Sequence, residues 1–145
     1  MSRLENSATD VLGRAECLRL LGSVSVGRVA FTSNALPSVQ AVTFVLHGQE
    51  VVFRTSPGSM LDTALGKSIV AFEADEFDNA RRTGWSVTAV GPASVVTDPA
   101  RLAELAELPL SPWEGDNRPH FVAISTSIVN GRRTHNCAHH APNRV

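Results

Sequence analysis

Apolar and polar residues alternate along much of the chain, which is the pattern of β-strands with one buried face. Strands are predicted over residues 24–32, 39–46, 51–55, 68–74, 84–97 and 120–129, and the last stretch suits one strand or two. Gly27 and the pair Gly91-Pro92 are expected to bend or bulge their strands. Short connections between neighbouring strands favour antiparallel pairing.

Three short helices interrupt these strands. The first begins at Gly13, carries its apolar residues at helical spacing and ends at Gly22. The second covers residues 59–65. The third has Asp98 as its N-cap and Pro99 as its first residue, which is the usual order of these residue types.

This order of elements predicts a mainly β fold with short α-helices, arranged as a closed or nearly closed antiparallel barrel. Long alternating strand–helix units are missing from the pattern, which argues against a doubly wound parallel sheet. A single domain is expected over residues 13–133, with residues 1–12 and 134–145 as flexible tails.

Composition narrows the functional classes. Hydrophobic residues make up 43% of the 145 residues and charged residues 19%, so the chain is typical of a globular protein rather than a disordered one. The formal net charge of −1, without a dense run of Lys or Arg, argues against nucleic-acid and membrane-surface partners. Because the two cysteines lie far apart and no apolar signal segment leads the chain, a reducing cytoplasm is expected.

The best candidate for chemistry is the stretch VVFRTSPGSMLDTAL, residues 51–65. A strand ends at Arg54 and Thr55, a Ser-Pro-Gly turn follows, and Ser59 stands where a helix N-cap belongs. Free backbone N–H groups at a helix start suit a phosphate, and a guanidinium with a hydroxyl at the strand end can bind the same anion. The same pattern also suits a strand, a turn and a capped helix that bind nothing.

Other clusters favour structural roles. His135, Cys137, His139 and His140 offer metal-ligand atoms but lie in a terminal tail without a second ligand pair. Cys17 lies on the apolar side of its helix, which favours core packing over a nucleophilic role. The carboxylates between residues 73 and 78 are interpreted as a solvated acidic edge that pairs with Arg81 and Arg82, since calcium-loop spacing is missing.

Several segments in order resemble the pyridoxamine 5′-phosphate oxidase-like, FMN-binding split-barrel family, in its actinobacterial-type branch. The resemblance extends over about residues 15–133 and is carried by ECLRLLGSVSVGRVAFT, VVFRTSPGSML, VAFEADEFD, RRTGWSVTAVGPASVVTDP, LPLSPW and VNGRR. It implies a six-stranded antiparallel split barrel that forms a homodimer, with two flavins in grooves at the subunit interface.

The resemblance also implies a set of cofactor-binding residues. The flavin phosphate would meet the strand end and the helix start, and the flavin ring and ribityl chain would lie along a neighbouring strand. Trp85 and Ser86 match the strand position beside the polar edge of the ring, and Trp113 is expected to close the pocket from the partner. The residues implied are Val42, Thr43, Phe44, Arg54, Thr55, Ser59, Met60, Leu61, Trp85, Ser86 and Trp113.

Two positions depart from the family pattern. Met60 stands where relatives usually have a Lys, so one cationic contact to the phosphate is missing. Ala41-Val42-Thr43 stands where relatives often have Pro-Val-Asn, which removes an amide side chain beside the ring.

Three functional hypotheses follow from the resemblance. The first is an FMN-dependent oxidoreductase that acts on an unknown small molecule by hydride transfer through the flavin. The second is a deazaflavin-dependent reductase, whose anionic cofactor tail would favour a more basic groove than this chain offers. The third, motivated by Met60, is a non-enzymatic flavin-binding module or a cofactor-free dimer. No side chain stands out as a catalytic acid or base, and no metal is expected.

Overall fold

A computed structural model describes residues 9–56, 68–110 and 120–135 of the chain. The elements in order are β1 (Thr9–Leu12), α1 (Arg14–Leu21), β2 (Val26–Ser33), β3 (Leu36–Thr43), β4 (Val45–His47), β5 (Glu50–Thr55), β6 (Ile69–Asp78), β7 (Thr83–Val95), α2 (Pro99–Leu105), β8 (His120–Ser125) and β9 (Ile128–Thr134).

The strands form one antiparallel system in the order β3-β2-β6-β7-β8-β5-β4, with β9 pairing with β7 and β1 pairing with β9. Strand β7 connects the two halves, because it pairs with β9 up to Val90 and with β8 from Ala93 onwards. The predicted antiparallel fold class is confirmed. The described residues contain nine strands rather than six, since β1 and β9 form separate strands and residues 39–46 divide between β3 and β4.

The start of the domain lies further upstream than predicted. Thr9–Leu12, expected to belong to a flexible tail, forms β1 and pairs with β9 through Thr9–Thr134 and Leu12–Gly131. The sequence pattern did not predict β1, because a strand at a sheet edge needs backbone partners rather than a buried apolar face.

The predicted helix boundaries at both described helices are confirmed. Helix α1 has Gly13 as N-cap and Gly22 as C-cap. Helix α2 begins at Pro99, and the Asp98 carboxylate accepts a hydrogen bond from the Arg101 N–H at 3.0 Å. Neither described helix is long and apolar enough to cross a membrane.

Gly27 does not form the bulge that the sequence suggested, since it pairs regularly with Val42. A Cβ atom built at this position would lie 2.3 Å from the Phe72 ring. The glycine therefore allows the Phe72 ring to pack directly on the β2 backbone. The same ring packs edge-on against the Phe44 ring, with 4.7 Å between the two ring centroids.

Two apolar clusters lie on opposite faces of the β5–β8 pair. The main cluster fills the barrel and includes Phe44, Phe53 and Phe72, with Cys17 from α1 fully buried against it as predicted. The second cluster lies between this strand pair and α2 and contains Val52, Val96, Leu105, Leu110, Phe121 and Ala123.

Candidate functional site

The end of β5 carries Arg54 and Thr55, which the sequence places at a phosphate site. Successive side chains of a strand point to opposite faces. Arg54 accordingly lies on the face of the second cluster, half-buried, whereas Thr55 lies on the barrel side and is only 2% exposed. The strand end therefore presents a guanidinium and a hydroxyl on its two sides.

Phe121 and Leu110 are two described residues that contact the Arg54 guanidinium. Its carbon lies 5.1 Å from the centre of the Phe121 ring, which is within the range of cation–π contacts. Its Nη1 donates to the Leu110 carbonyl at 3.4 Å. Arg54 and Phe121 are directly paired across β5 and β8, so this stacking follows from the strand register.

His120 lies beside the predicted site, although sequence reasoning did not select it. It pairs directly with Thr55 across the β5–β8 ladder, and its side chain is half-buried. The alternating pattern of residues 120–125 predicted a strand, but only the register shows which strand lies opposite. No local signal in the sequence connects residue 120 with residue 55.

The segment Val42–Phe44 also approaches the end of β5. Val45 pairs with Val52, so the residues that precede Val45 lead towards Arg54, and β3 contacts β5 directly. The side chains of Val42 and Phe44 belong to the barrel core, while Thr43 is half-buried. The structure thus brings this predicted flavin-contacting segment to the predicted phosphate end.

Four residues of the predicted site cannot be placed against this geometry. Ser59, Met60, Leu61 and Trp113 lie outside the described residues. Their proposed contacts with the phosphate and with the partner subunit stay predictions.

Trp85 and Ser86 lie near the start of β7, far from Arg54 along the chain of paired strands. Val95, at the other end of β7, pairs with Val122 of β8. Val122 in turn pairs with Phe53, the residue before Arg54 on β5. Trp85 precedes Val95 by about ten residues, or roughly 33 Å of strand contour. Within one chain, Trp85 and Ser86 are therefore separated from Arg54 by most of the length of β7.

Trp85 forms part of a cavity of about 860 Å³ at the tip of the β6–β7 hairpin, a volume that suits a small ligand. The indole itself is only 7% exposed, so it packs in the barrel core and also borders the cavity. Other residues around the opening are Glu76, Phe77, Asp78, Asn79, Ala80, Thr83, Gly84, Arg133, Thr134 and His135.

Arg133, which borders this cavity, has a carboxylate partner within the chain. Arg133 Nη2 donates to Glu16 at 2.9 Å, and Arg19 donates to the same carboxylate. The hydrogen bond from Arg19, followed by that from Arg133, lowers the pKa of Glu16 to about 2. Glu16 is therefore ionised at neutral pH and is shared between the two guanidinium groups.

Of the four candidate metal ligands in the C-terminal tail, His135 lies within the described residues. His135 pairs with Asp10 at 2.7 Å, while Cys137, His139 and His140 lie outside the described residues. Among residues 9–56, 68–110 and 120–135, no group of three or more His, Cys, Asp or Glu side chains is arranged to hold a metal ion.

The acidic edge differs from the prediction in its partners. Glu73 and Asp75 pair with Arg28 of β2, at 3.1 and 3.5 Å, rather than with Arg81 or Arg82. Only Asp78 pairs with Arg81, at 3.7 Å. Burial, followed by the hydrogen bond with Asp75, raises the pKa of Glu73 to about 7. The register of β2 against β6 explains the difference, since Arg28 lies directly opposite Glu73.

Comparison with known proteins agrees with this fold. The model of the pyridoxamine 5′-phosphate oxidase family matches residues 13–133. An uncharacterized Mycobacterium tuberculosis protein, Rv0080, is 41% identical over 127 residues, which cover 84% of this chain and 83% of that protein.

Among solved structures, the FAD-binding protein from Mycobacterium smegmatis is similar with a TM-score of 0.75 and 35% identity, covering 86% of this chain and 97% of that one. An FAD-binding protein from Mesorhizobium loti shares the fold, with a TM-score of 0.70 and 19% identity over 88% of this chain and 98% of that one.

Proposed function

We propose that this chain, which belongs to the pyridoxamine 5′-phosphate oxidase family, is a flavin-dependent oxidoreductase that binds FMN and acts on a small molecule. The observation that carries the proposal is the 35% identity to the FAD-binding protein of M. smegmatis, which extends over 97% of that protein. A bound flavin would supply hydride transfer through its N5 atom. The chain itself would bind and orient the cofactor and shield it from water.

Arg54 supports a flavin phosphate at the end of β5, because it supplies a planar guanidinium with several N–H donors. Thr55 lies on the opposite, barrel side of the strand and is only 2% exposed, so its hydroxyl does not lie beside the guanidinium. Both residues lie where a strand ends and the 59–65 segment, predicted to be helical, follows in sequence. Because Arg54 borders an apolar cluster, its charge is less screened by water than a surface charge would be.

A homodimer is part of this proposal. Arg54 and Thr55 lie at one end of β7 and its paired strands, and Trp85 lies at the other. A flavin that contacts both groups would therefore take the first group from one chain and the second from a second copy. This arrangement gives two equivalent sites per dimer, as expected for an interface with two-fold symmetry.

The outer face of the sheet supports a second copy as the partner. An apolar row crosses five neighbouring strands, and each of its residues pairs directly with the next: Val39, Ala30, Ala71, Val90 and Ile128. The two end residues, Val39 and Ile128, are 68% and 61% exposed. Ile69, two positions from Ala71 on β6, extends the same surface and is 65% exposed. A continuous apolar surface of this kind is typical of protein interfaces.

FAD is the second candidate cofactor, because the M. smegmatis and M. loti proteins bind FAD. FAD contains the same phosphate next to the ribityl chain, so Arg54 and Thr55 would have the same role. The adenylate portion would need additional contacts beyond the end of β5. The two cofactors are therefore distinguished by affinity rather than by the residues that meet the first phosphate.

Titration of the purified protein with FMN, FAD, riboflavin and a deazaflavin, followed by fluorescence, tests the proposal. We expect saturable quenching by FMN or FAD, and a yellow preparation if the flavin is retained. Arg54→Gln should weaken binding of the phosphorylated flavin about ten- to a hundredfold, as expected for loss of a charge-assisted hydrogen bond.

Arg101→Gln is the matched control, because it removes the same charge from a position that pairs with Glu50, at the opposite end of β5 from Arg54. It should leave flavin affinity unchanged. Lack of saturation by any flavin up to about 1 mM, an affinity of only about 4 kcal/mol, would overturn the proposal. Preferential binding of the deazaflavin would replace it with the reductase hypothesis.

A further inference from the structure

We infer that the cavity at the tip of the β6–β7 hairpin is the substrate site, and that the substrate is a planar aromatic molecule which packs against the ring of Phe77. The inference deepens the proposed function and rests on it, because that function expects the flavin ring at the same end of the barrel. It adds the chemical class of the molecule that the chain oxidises or reduces, which the flavin alone does not specify.

Phe77 differs from the other phenylalanines of the chain in its exposure. Its side chain is 59% exposed. The five others are at most 8% exposed: Phe31, Phe44, Phe53, Phe72 and Phe121. An aromatic ring that stays in water forgoes most of the free energy that its burial would supply. A ring exposed at the opening of a cavity therefore suits a surface that a ligand covers.

A glycine opposite Phe77 gives this ring a defined position. Phe77 pairs directly with Gly84 across β6 and β7. A Cβ atom built at Gly84 would lie 2.1 Å from Cδ1 of Phe77 and 2.7 Å from its Cγ. The ring therefore occupies the space that a side chain on β7 would fill, and it packs directly on the strand backbone. The exposure of Phe77 thus does not arise from a side chain that extends freely into water.

The cavity contains a second aromatic side chain. Trp85 follows Gly84 in sequence, and both Phe77 and Trp85 line the cavity of about 860 Å³. Sites for small molecules typically have volumes of roughly 300–1,000 Å³ and apolar or aromatic walls. The Trp85 indole is fixed in the barrel core, and the Phe77 ring is fixed by Gly84. Because aromatic rings prefer to stack on or meet other rings edge-on, these two walls favour a planar ligand over a saturated one of the same size.

The apolar row proposed to contact a second copy does not extend to Phe77. On the outer face of β6, Glu73 and Asp75 lie between Ala71 and Phe77. Both carboxylates pair with Arg28, at 3.1 and 3.5 Å. Since charged residues are depleted from the centres of protein interfaces, this ion-pair cluster separates Phe77 from the subunit contact. The exposed ring belongs to the cavity instead.

Binding of 1-naphthol and of decahydro-1-naphthol, its saturated and non-planar counterpart, tests the inference. Calorimetry on the wild-type protein, with and without a saturating flavin, gives the two affinities. We expect the wild type to bind 1-naphthol about two- to tenfold more tightly than the saturated alcohol in both states, as expected for an added aromatic contact. Phe77→Leu, which keeps an apolar side chain, should abolish this preference, and Phe77→Trp should retain it.

Leu36→Ala is the matched control, because Leu36 is 67% exposed and begins β3 at the opposite end of β6 from Phe77. It should leave the preference for 1-naphthol unchanged, and circular dichroism should show that each variant folds.

Equal affinity of the wild type for the two alcohols, or an unchanged preference in Phe77→Leu, would overturn the inference. Competition between 1-naphthol and the bound flavin would also overturn it, because the cavity would then hold the flavin ring in place of a substrate. If the wild type binds 1-naphthol with the expected preference but binds no flavin, the proposed function fails while the aromatic site at Phe77 is supported.

Discussion

Two arginines lie at opposite ends of the barrel and differ in what holds them. Arg54, at the end of β5, stacks on Phe121 and donates to a main-chain carbonyl. Arg133, at the hairpin end, donates to the Glu16 carboxylate, whose pKa of about 2 shows that it stays ionised. The contacts described at Arg54 are thus an aromatic ring and a main-chain carbonyl, whereas Arg133 shares a carboxylate with Arg19.

The two ends also differ in their surroundings. The β5 end places its arginine beside an apolar cluster, while the hairpin end has an open cavity lined by Trp85 and Arg133. Under the proposed function, the flavin phosphate is expected at the first end and the flavin ring at the second. Because different residues form the two ends, one end can be altered in one variant and the other end in a second variant. Mixing the two variants then tests the comparison.

Complementation between two variants should give the largest effect. We expect Arg54→Gln and Trp85→Leu each to lose most flavin binding as separate proteins. When equal amounts are unfolded and refolded together, random pairing gives mixed dimers, each with one intact site, and about a quarter of the wild-type binding capacity should return. Fluorescence titration of the mixture measures this capacity.

Circular dichroism of each variant provides the control, because Trp85 also belongs to the core. Mixing Arg54→Gln with itself after the same treatment should restore nothing. If the mixed sample gains no capacity although both variants fold, each site is built from one chain and the proposed division between the two ends is wrong.

Adding a cation to the phosphate end should produce the next largest effect. Met60→Lys restores the residue type that relatives usually have, and a charge-assisted bond should tighten FMN binding about ten- to a hundredfold. Riboflavin affinity should change little, since it has no phosphate. If FMN and riboflavin tighten equally, position 60 acts through the ring or the fold rather than through the phosphate.

The smallest expected effect concerns stability at the acidic edge. The pKa of Glu73 is about 7 in the folded chain and 4.5 without its surroundings. Between these values the folded state holds a proton that the unfolded state has lost, so wild-type stability should rise as the pH falls from 8 to 5. Glu73→Gln cannot ionise, and it should be more stable than wild type by ~1 kcal/mol at pH 8, with the advantage lost by pH 5.

Thermal denaturation at several pH values measures this difference. Glu76→Gln is the matched control, because Glu76 is an exposed carboxylate on the same strand and, among the described residues, Arg28 pairs with Glu73 and Asp75 instead. An equal pH dependence in Glu73→Gln and wild type would show that the ionised form of Glu73 is tolerated in the folded chain.

Local patterns in the sequence predicted much of the fold. Alternation predicted the strands, and the order Asp98-Pro99 predicted the start of α2, because these signals act within a few residues. Relations between distant residues were missed. Arg28 was not recognised as the partner of Glu73, nor Phe121 as the cross-strand neighbour of Arg54, because both pairs depend on strand register.

The residues of the candidate site divide in the same way, into those that local sequence patterns predict and those that depend on strand pairing. Arg54 and Thr55 could be selected from the strand, turn and helix pattern around them, and the structure places both at a strand end. His120 could not, since 65 positions of chain separate it from Thr55 and only the β5–β8 pairing brings the two together. The separation of Trp85 from Arg54 likewise became apparent only from the path of β7.

The path of β7 has a consequence for how the two halves of the barrel are positioned. Strand β7 changes partners around Gly91, where an added Cβ would lie 2.7 Å from the Ser125 carbonyl oxygen. Any larger residue there would push β8, and with it Phe121 and Arg54, away from the half of the barrel that carries Trp85. Gly91 thus permits the close approach of β7 and β8, and the relative position of the two halves of the barrel depends on a residue that lies at neither end.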